Sequence, residues 1–256
     1  MDLEIIYRDE QLVAINKPAG LLVHRTNIDR HETRFAVQLL RKQLRQRVYP
    51  VHRLDKPTSG VLLFALDSET ARLLSEQFRN HRTDKSYLAL VRGWTGGEGQ
   101  IDYPLVDGPI KAAYAGQRNS DKPRPALTRY RTLGKVELPI PVGRYASSRY
   151  ALVEARPQSG RRHQLRRHFK HIFHPLIGDT SYGDSAHNRL FRKHFDCHRL
   201  LLHARELVIV HPVTEIPVKL QAPLDREFAA LLDILDLPYR EKPRHDDSWG
   251  VDGSEG

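Results

Sequence analysis

His52-Arg53-Leu54-Asp55-Lys56-Pro57-Thr58-Ser59-Gly60-Val61-Leu62-Leu63-Phe64-Ala65-Leu66 joins two kinds of sequence. From Val61 to Leu66 the residues form a continuous apolar run, bounded by Gly60 and by Asp67-Ser68. A run of that length with such borders reads as a buried strand. The preceding half sets one carboxylate, Asp55, among His52, Arg53 and Lys56, just before a Pro-Thr-Ser-Gly turn. Neighbouring positive charge favours the charged form of a carboxylate. Asp55 is therefore a candidate nucleophile or base in a setting that also attracts phosphate, with a surface ion pair as the competing reading.

Outward from this stretch, Leu3 to Tyr7 and Leu12 to Asn16 read as short strands around the polar turn Arg8-Asp9-Glu10. Lys17-Pro18-Ala19-Gly20 breaks the pattern, and Leu21 to His24 resumes in extended form. Phe35, Leu39, Leu40 and Leu44 recur at helical spacing within 35–48. Ser68 is the predicted N-cap of a helix with Ala71, Leu74 and Phe78 on one stripe. Ser86 to Val91 is predicted as a strand, and 94–125 as a long irregular insertion. Further strands are expected at 126–133 and 149–156. A helix is expected from Arg161 to Phe173, with Leu165, Phe169 and Ile172 inward. A strand pair is expected at Leu200–His203 and Glu206–Val210, and a last helix from Asp225 to Leu235. After Pro238 the composition turns polar, so the organisation is one domain over 1–237 and a mobile tail over 238–256. Strands outnumber helices and several are joined by short turns. The fold class is α+β, a mixed, largely antiparallel central sheet with flanking helices.

The chain has 256 residues, with 41 Lys and Arg against 31 Asp and Glu, a net charge of +10. Such an excess points to a polyanionic partner, with nucleic acid the default. The single cysteine, Cys197, excludes an internal disulfide and a Cys-rich zinc site, and fits a reducing cytosol. The N-terminus lacks a signal-peptide layout and no apolar run approaches a membrane span. A cytoplasmic protein is expected.

The basic charge concentrates between Arg156 and His174, which holds Arg161, Arg162, Arg166, Arg167 and Lys170 and no acid. These cations repel one another unless a polyanion or a distant carboxylate compensates. On a helix, Arg162 and Arg166 share one face and Arg167 and Lys170 the next. Arginine can grip phosphate or carboxylate through two bonds, although a solvated basic face is an equal reading. His168, His171 and His174 match no zinc pattern, and the flanking arginines disfavour a divalent cation. There is no Gly-x-Ser-x-Gly elbow, no paired acid near Asp55 and no P-loop. A lone Asp among cations suits a substrate whose own phosphates bring the negative charge. Tyr87, in the strand Lys85–Val91, reads alone as a core aromatic; beside a base-binding pocket its ring would suit stacking.

Together these segments resemble the RluA-type pseudouridine synthases. The likeness rests on His52-Arg53-Leu54-Asp55 with Thr58-Ser59-Gly60, on Lys85-Ser86-Tyr87 with Val91-Arg92-Gly93, and on Ser159-Gly160-Arg161-Arg162-His163-Gln164-Leu165-Arg166 with His168. Asn16-Lys17-Pro18-Ala19-Gly20, His174-Pro175-Leu176-Ile177-Gly178-Asp179 and Leu202-His203-Ala204 fit too, in order, from about residue 3 to 224. Ser159 stands where relatives usually carry Thr. The resemblance implies the pseudouridine synthase catalytic fold. The first strand starts too early to leave room for an N-terminal S4 domain.

By the same resemblance, uracil is detached from its ribose, turned and rejoined through carbon, with Asp55 carrying catalysis and no cofactor or metal. Arg166 is expected to hold Asp55, and Tyr87 to pack on the flipped uracil. Arg53, with His52 beside it, is expected to contact RNA and fill the gap left by the flipped base. Arg161, Arg162, Arg167 and Lys170 are expected to grip phosphates. Val23-His24-Arg25, Asp29-Arg30, Gly143-Arg144-Tyr145, Arg149-Tyr150 and the doubled arginine Arg166-Arg167 point to the branch acting at the base of the tRNA T stem, at uridine 65. A ribosomal-RNA substrate and a non-catalytic RNA-binding protein are the alternatives. A monomer is expected, because no long apolar stripe suggests a self-interface.

Overall fold

The computed structural model describes residues 2–24, 33–106 and 122–239. Its elements, in chain order, begin with β1 (Glu4–Arg8), β2 (Leu12–Lys17), α1 (Ala36–Leu44), β3 (Tyr49–Pro50) and β4 (Ser59–Ala65). Then come α2 (Ser68–Arg79), β5 (Asp84–Arg92), β6 (Glu98–Asp102), β7 (Leu127–Leu138) and β8 (Ser148–Pro157). The chain continues through α3 (Gln164–His171), α4 (Ser185–Phe195), β9 (Leu202–Val210), β10 (Pro217–Gln221) and α5 (Arg226–Ile234). One sheet runs in the order β1-β2-β4-β9-β5-β8-β7-β6, with β3 on β4 and β10 on β9. Among the described strands, β4 and β9 pair in parallel, at Ser59–His203 and Gly60–Ala204, and the other strand pairs are antiparallel. The α+β class with a largely antiparallel sheet is thus the observed one.

Every residue of β4 is buried, because helices cover both of its faces. Leu62 and Phe64 point into a cluster with Ala36 and Leu40 of α1. Val61, Leu63 and Ala65 point the other way, toward Leu74 of α2. Each such large side chain contributes about 1.5–3 kcal/mol on burial. The other half of the sheet repeats the plan. Ala89, Val91, Ala151 and Val153 meet Leu165 and Phe169 of α3. Leu90, Tyr150 and Leu152 meet Phe191 of α4 and Phe228 of α5.

Several expectations needed correction. Asp67, not Ser68, caps α2: its carboxylate accepts the Thr70 N–H at 2.8 Å. The insertion at 94–125 contains a regular strand, β6, paired to β7; its remainder at 107–121 lies outside the described residues. The two strands expected around 200–210 are one, β9, which pairs with β4, β5 and β10 rather than folding back on itself. Polar positions within β9 concealed its continuity. Helix α4 was not expected; His187, Asn188 and Arg189 precede Leu190-Phe191, and Arg192, Lys193 and His194 separate these from Phe195, which dilutes the periodicity. Helix α3 begins three residues later than expected, because His163 takes a left-handed conformation (φ 53°). Arg162 therefore precedes the helix and does not share a helical face with Arg166. Pro238 and Tyr239, assigned to the tail, lie against the core: Tyr239 packs on the cluster around α5, and Pro238 sits beside Gly134. The rest of that tail, 240–256, and the Arg25–Arg30 positions lie outside the described residues.

Candidate active site

Asp55 lies on the loop between β3 and β4, which is fastened at several points. The Asp55 carbonyl accepts the Thr58 N–H at 3.0 Å, closing a turn. Leu54 is buried beneath it, packed in the α1 cluster that Tyr87 borders. Behind the turn, Gly60 adopts φ +110°, and a Cβ there would lie 2.1 Å from the Ala204 carbonyl oxygen. Only glycine allows β4 to approach β9 this closely.

From the front, Lys17 clamps the loop. Its buried ammonium donates to the carbonyls of Pro18, Leu21 and Lys56 at 2.9, 2.8 and 3.2 Å. Three acceptors match the three N–H bonds of an ammonium. Burial pulls the Lys17 pKa down to about 7; the charge of Arg199 adds to this and Asp55 opposes it. A hydrogen-bond relay supports the loop from below. Arg199 bonds Asp225, the N-cap of α5, and donates to Ser59 Oγ at 2.7 Å. Ser59 Oγ meets His203 Nδ1 at 2.9 Å, and His203 Nε2 meets the Ala222 carbonyl at 3.1 Å. The carbonyl fixes a proton on Nε2, so Nδ1 accepts from the serine.

The Asp55 carboxylate faces a cleft of about 580 Å³. Arg166 Nη1 reaches it at 3.4 Å. Arg166 is itself buried and held by Asp179 through two bonds, Nε to Oδ2 at 2.7 Å and Nη2 to Oδ1 at 2.8 Å. Burial pulls the Arg166 pKa down, but the Asp179 bond and charge, with Asp55 adding, leave it raised. Burial pushes Asp179 up, yet the Arg166 bond and charge and the N–H groups of Tyr182 and Ser181 hold it below the usual carboxylate range. A glycine places this acid: at Gly178 (φ +78°) a Cβ would lie 1.8 Å from the Arg199 carbonyl oxygen.

Two more groups close on Asp55. His163 Nε2 lies 3.8 Å from its Oδ1, and His163 Nδ1 lies 3.1 Å from the Tyr182 hydroxyl. Burial lowers the His163 pKa to about 4; Asp55 opposes the shift and Arg166 and Arg162 assist it. Tyr87 lines the same cleft from a bulge in the β5–β9 ladder between Ser86 and Tyr87. Its phenol is pushed above its ordinary value by burial and then by the charge of Asp55.

Among the other singled-out residues, Arg53 is exposed at the cleft, and Arg161 and Arg162 also line it. Arg161 donates to the Pro125 carbonyl at 3.1 Å. Arg167 and Lys170 lie beyond the cleft: Arg167 donates to the Val106 carbonyl at 3.0 Å, and Lys170 is exposed. His52 is not a cation. Burial lowers its pKa to about 3, with the charge of Lys85 adding to the effect. Its Nε2 accepts the Leu63 N–H at 3.0 Å and its ring stacks on Phe78, so it ties the loop to β4 and α2. His168 bonds Thr128 and the Tyr103 carbonyl, and His174 bonds the Arg92 carbonyl.

Sequence reasoning did not assign roles to Asp179, His163, Lys17 or Arg199. A signal for Asp179 existed: it is the first acid after the basic run, and such a run needs a distant carboxylate. Glu154 does the same at the other border, bonding Arg131 and Arg156 at 2.6 and 3.2 Å. Nothing local marked Arg199, whose partners Ser59 and Asp225 are far away in sequence.

Comparisons with known proteins cover most of the chain. A family profile described as RNA pseudouridylate synthase matches residues 11–171. Proteins of Vibrio cholerae and Pasteurella multocida, both named tRNA pseudouridine synthase C, are each 52% identical to this chain. The first covers 90% of this chain and 94% of its own length, the second 92% and 97%. Among solved structures, Human RNA Pseudouridylate Synthase Domain Containing 4 aligns with a TM-score of 0.69 at 28% identity, covering 93% of this chain and 95% of that one. Human RNA Pseudouridylate Synthase Domain Containing 1 shares the fold, with a TM-score of 0.67 at 24% identity over 94% of this chain and 97% of that one. A cleft built around a lone, braced carboxylate, a profile over more than half of the residues and half-identical relatives along nearly the whole length agree: the chain belongs to the RNA pseudouridylate synthase family.

Proposed function

We propose that the protein isomerises a uridine of tRNA to pseudouridine, at position 65 in the T stem, with Asp55 as the catalytic carboxylate. The observation that carries this reading is the Asp55 carboxylate facing the Tyr87-lined cleft, 3.4 Å from an Arg166 held in turn by Asp179. The tRNA assignment is supported by the name carried by relatives about half identical to this chain.

The reaction breaks the bond between uracil N1 and ribose C1′ and forms one between C5 and C1′. The C5 proton is lost and N1 gains one, so atoms balance without a co-reactant. The uridine must first leave its stack, at a cost of a few kcal/mol. Arg53, exposed at the cleft mouth, fills the gap, and Tyr87 packs on the flipped ring. Asp55 attacks C1′ or removes a ribose proton; each role needs a charged carboxylate in fixed geometry. Arg166 supplies that geometry. Arg161 and Arg162 meet the flanking phosphates at the cleft rim, with Arg167 and Lys170 farther along the backbone. The protein acts as a monomer.

Purified protein and an unmodified tRNA transcript should yield pseudouridine without added metal or nucleotide, and folded Asp55→Asn should form it at least ~100-fold more slowly. Full activity in that variant would sink the assignment. Mapping pseudouridine in total RNA from cells lacking the protein tests the position. Loss from ribosomal RNA with tRNA intact would move the substrate to the ribosome.

A further inference from the structure

Away from the cleft, at the other end of α3, lies a group of exposed aromatics that the chemistry does not use. Phe173 is 80% exposed, Tyr145 61% and Trp94 40%. The last residue of α3, His171, lies about 7.5 Å along the helix from Arg166, at 1.5 Å per residue, and Phe173 follows two residues later. Arg92, beside it, lies about 17 Å along β5 from Tyr87, at 3.3 Å per residue. Arg92, Trp94, Tyr145 and Phe173 do not line the Asp55 cleft.

Arginines tie the group together. Arg92 donates to the Phe173 carbonyl at 3.2 Å and pairs with Asp184 at 2.8 Å. The bond and charge of Arg144 lower the Tyr145 phenol below its ordinary value, and the charge of Arg92 adds to this. The Arg144 guanidinium lies 5.2 Å from the Tyr145 ring centre. That of Arg149 lies 4.4 Å from the Trp94 ring, and the indole is pinned by a 3.1 Å bond to the Val136 carbonyl.

Phe173 is the sharpest observation. It occupies the position just past the C-cap of α3. There the His174 N–H bonds the Phe169 carbonyl at 2.8 Å and the Phe173 N–H bonds the Lys170 carbonyl at 3.0 Å. This pairing is the Schellman motif, whose left-handed residue is usually glycine. Phe173 has φ +63°. Backbone preference and burial therefore both argue against phenylalanine here, and its ring is presented to solvent.

We propose that Trp94, Tyr145 and Phe173, flanked by Arg144 and Arg149, form a second RNA-contact platform that stacks unpaired bases away from the reacting uridine. This rests on the RNA-modifying reading above. Exposed rings beside guanidinium groups bind single-stranded nucleotides by stacking and backbone attraction. Charge favours RNA over a protein partner. Arg149 pairs with Glu137 and Arg92 with Asp184, so Arg144 and Lys170 leave the surface with an excess of two positive charges.

The test measures binding of unmodified tRNA transcript to Asp55→Asn protein, so that turnover is suppressed. Adding Phe173→Gly should weaken binding about tenfold, within the range for losing one stacked base. The same change should raise the melting temperature, because glycine suits the left-handed position. Trp94→Ala should weaken binding similarly, and Phe173→Trp should retain it. The slope of affinity against salt should stay unchanged in the aromatic variants, since stacking releases no counterions. Parent-like affinity in folded Phe173→Gly and Trp94→Ala proteins overturns the platform and leaves the surface to a protein contact. Activity of the Asp55 protein is scored in parallel on tRNA and ribosomal fragments. Should only a ribosomal fragment be modified, the tRNA reading falls, and the platform is judged by the same titrations on that fragment.

Discussion

The two ends of α3 draw on similar residues and use them in opposite ways. At its start, Arg166 is buried and bonded to Asp179 and Asp55. At its end, Lys170 and Phe173 are exposed. A run of cations in sequence therefore does not define one function. Arginine paired with a buried carboxylate becomes scaffold for a second carboxylate, Asp55, because a buried charge must be compensated. The same charge left in solvent remains available to phosphate.

The contrast is broken most strongly at Asp55. Asp55→Asn should lower the rate of pseudouridine formation by at least 100- to 10,000-fold, the span of general acid–base catalysis. RNA affinity should hold or rise, since one negative charge leaves a basic cleft. Rate and affinity measured on one preparation separate the two; a parallel loss of both would mean that Asp55 shapes the fold.

Next in size is Asp179→Asn. Removing one partner of a buried ion pair costs about 3–5 kcal/mol. Denaturant titration should show that loss, and the rate should fall with it as Arg166 loses its orientation. A stable variant with full activity would show that Asp55 alone positions Arg166.

Acid should weaken the cleft end before the exposed end. The folded pKa values of His52, His163 and His203 lie at about 3, 4 and 4 because burial disfavours their charged forms. Histidine in the unfolded chain titrates near 6.5. Below that pH the unfolded state binds more protons. The stability held by the neutral rings is thus complete above about pH 7 and is lost as pH falls toward 4. His52 and His203 each contribute at most about 1.4 kcal/mol per pH unit. Melting temperatures at pH 7.5 and 5.5 check this; equal values would mean that the rings protonate without unfolding.

The smallest effect belongs to Lys170→Ala. It should reduce the salt slope of RNA binding by about one and leave the melting temperature unchanged. An unaltered slope would place Lys170 off the RNA path.

The apolar elements were legible because their signal is local. β4, α2 and α5 follow from runs and stripes that burial requires wherever they pack. β6 and α4 escaped because polar side chains interrupt their patterns on partly covered faces. Asp55, Tyr87 and Arg166 stood in recognisable stretches, and the structure brings all three to one cleft. The environment of His52 was not legible, since stacking on Phe78 and the bond from the Leu63 N–H join groups that are not its neighbours in sequence.

The sequence by itself determined the buried strand, the lone carboxylate beside it and the basic excess, since each is set by neighbours along the chain. Only the tertiary structure decided which cation holds Asp55, which acid holds that cation, and that Gly60 and Gly178 must lack a side chain. Those outcomes depend on groups far apart in sequence: Asp55 and Arg166 are 111 residues apart, and Ser59 and Arg199 are 140. Charge compensation and close backbone approach act through space, so spacing along the chain carries no record of them.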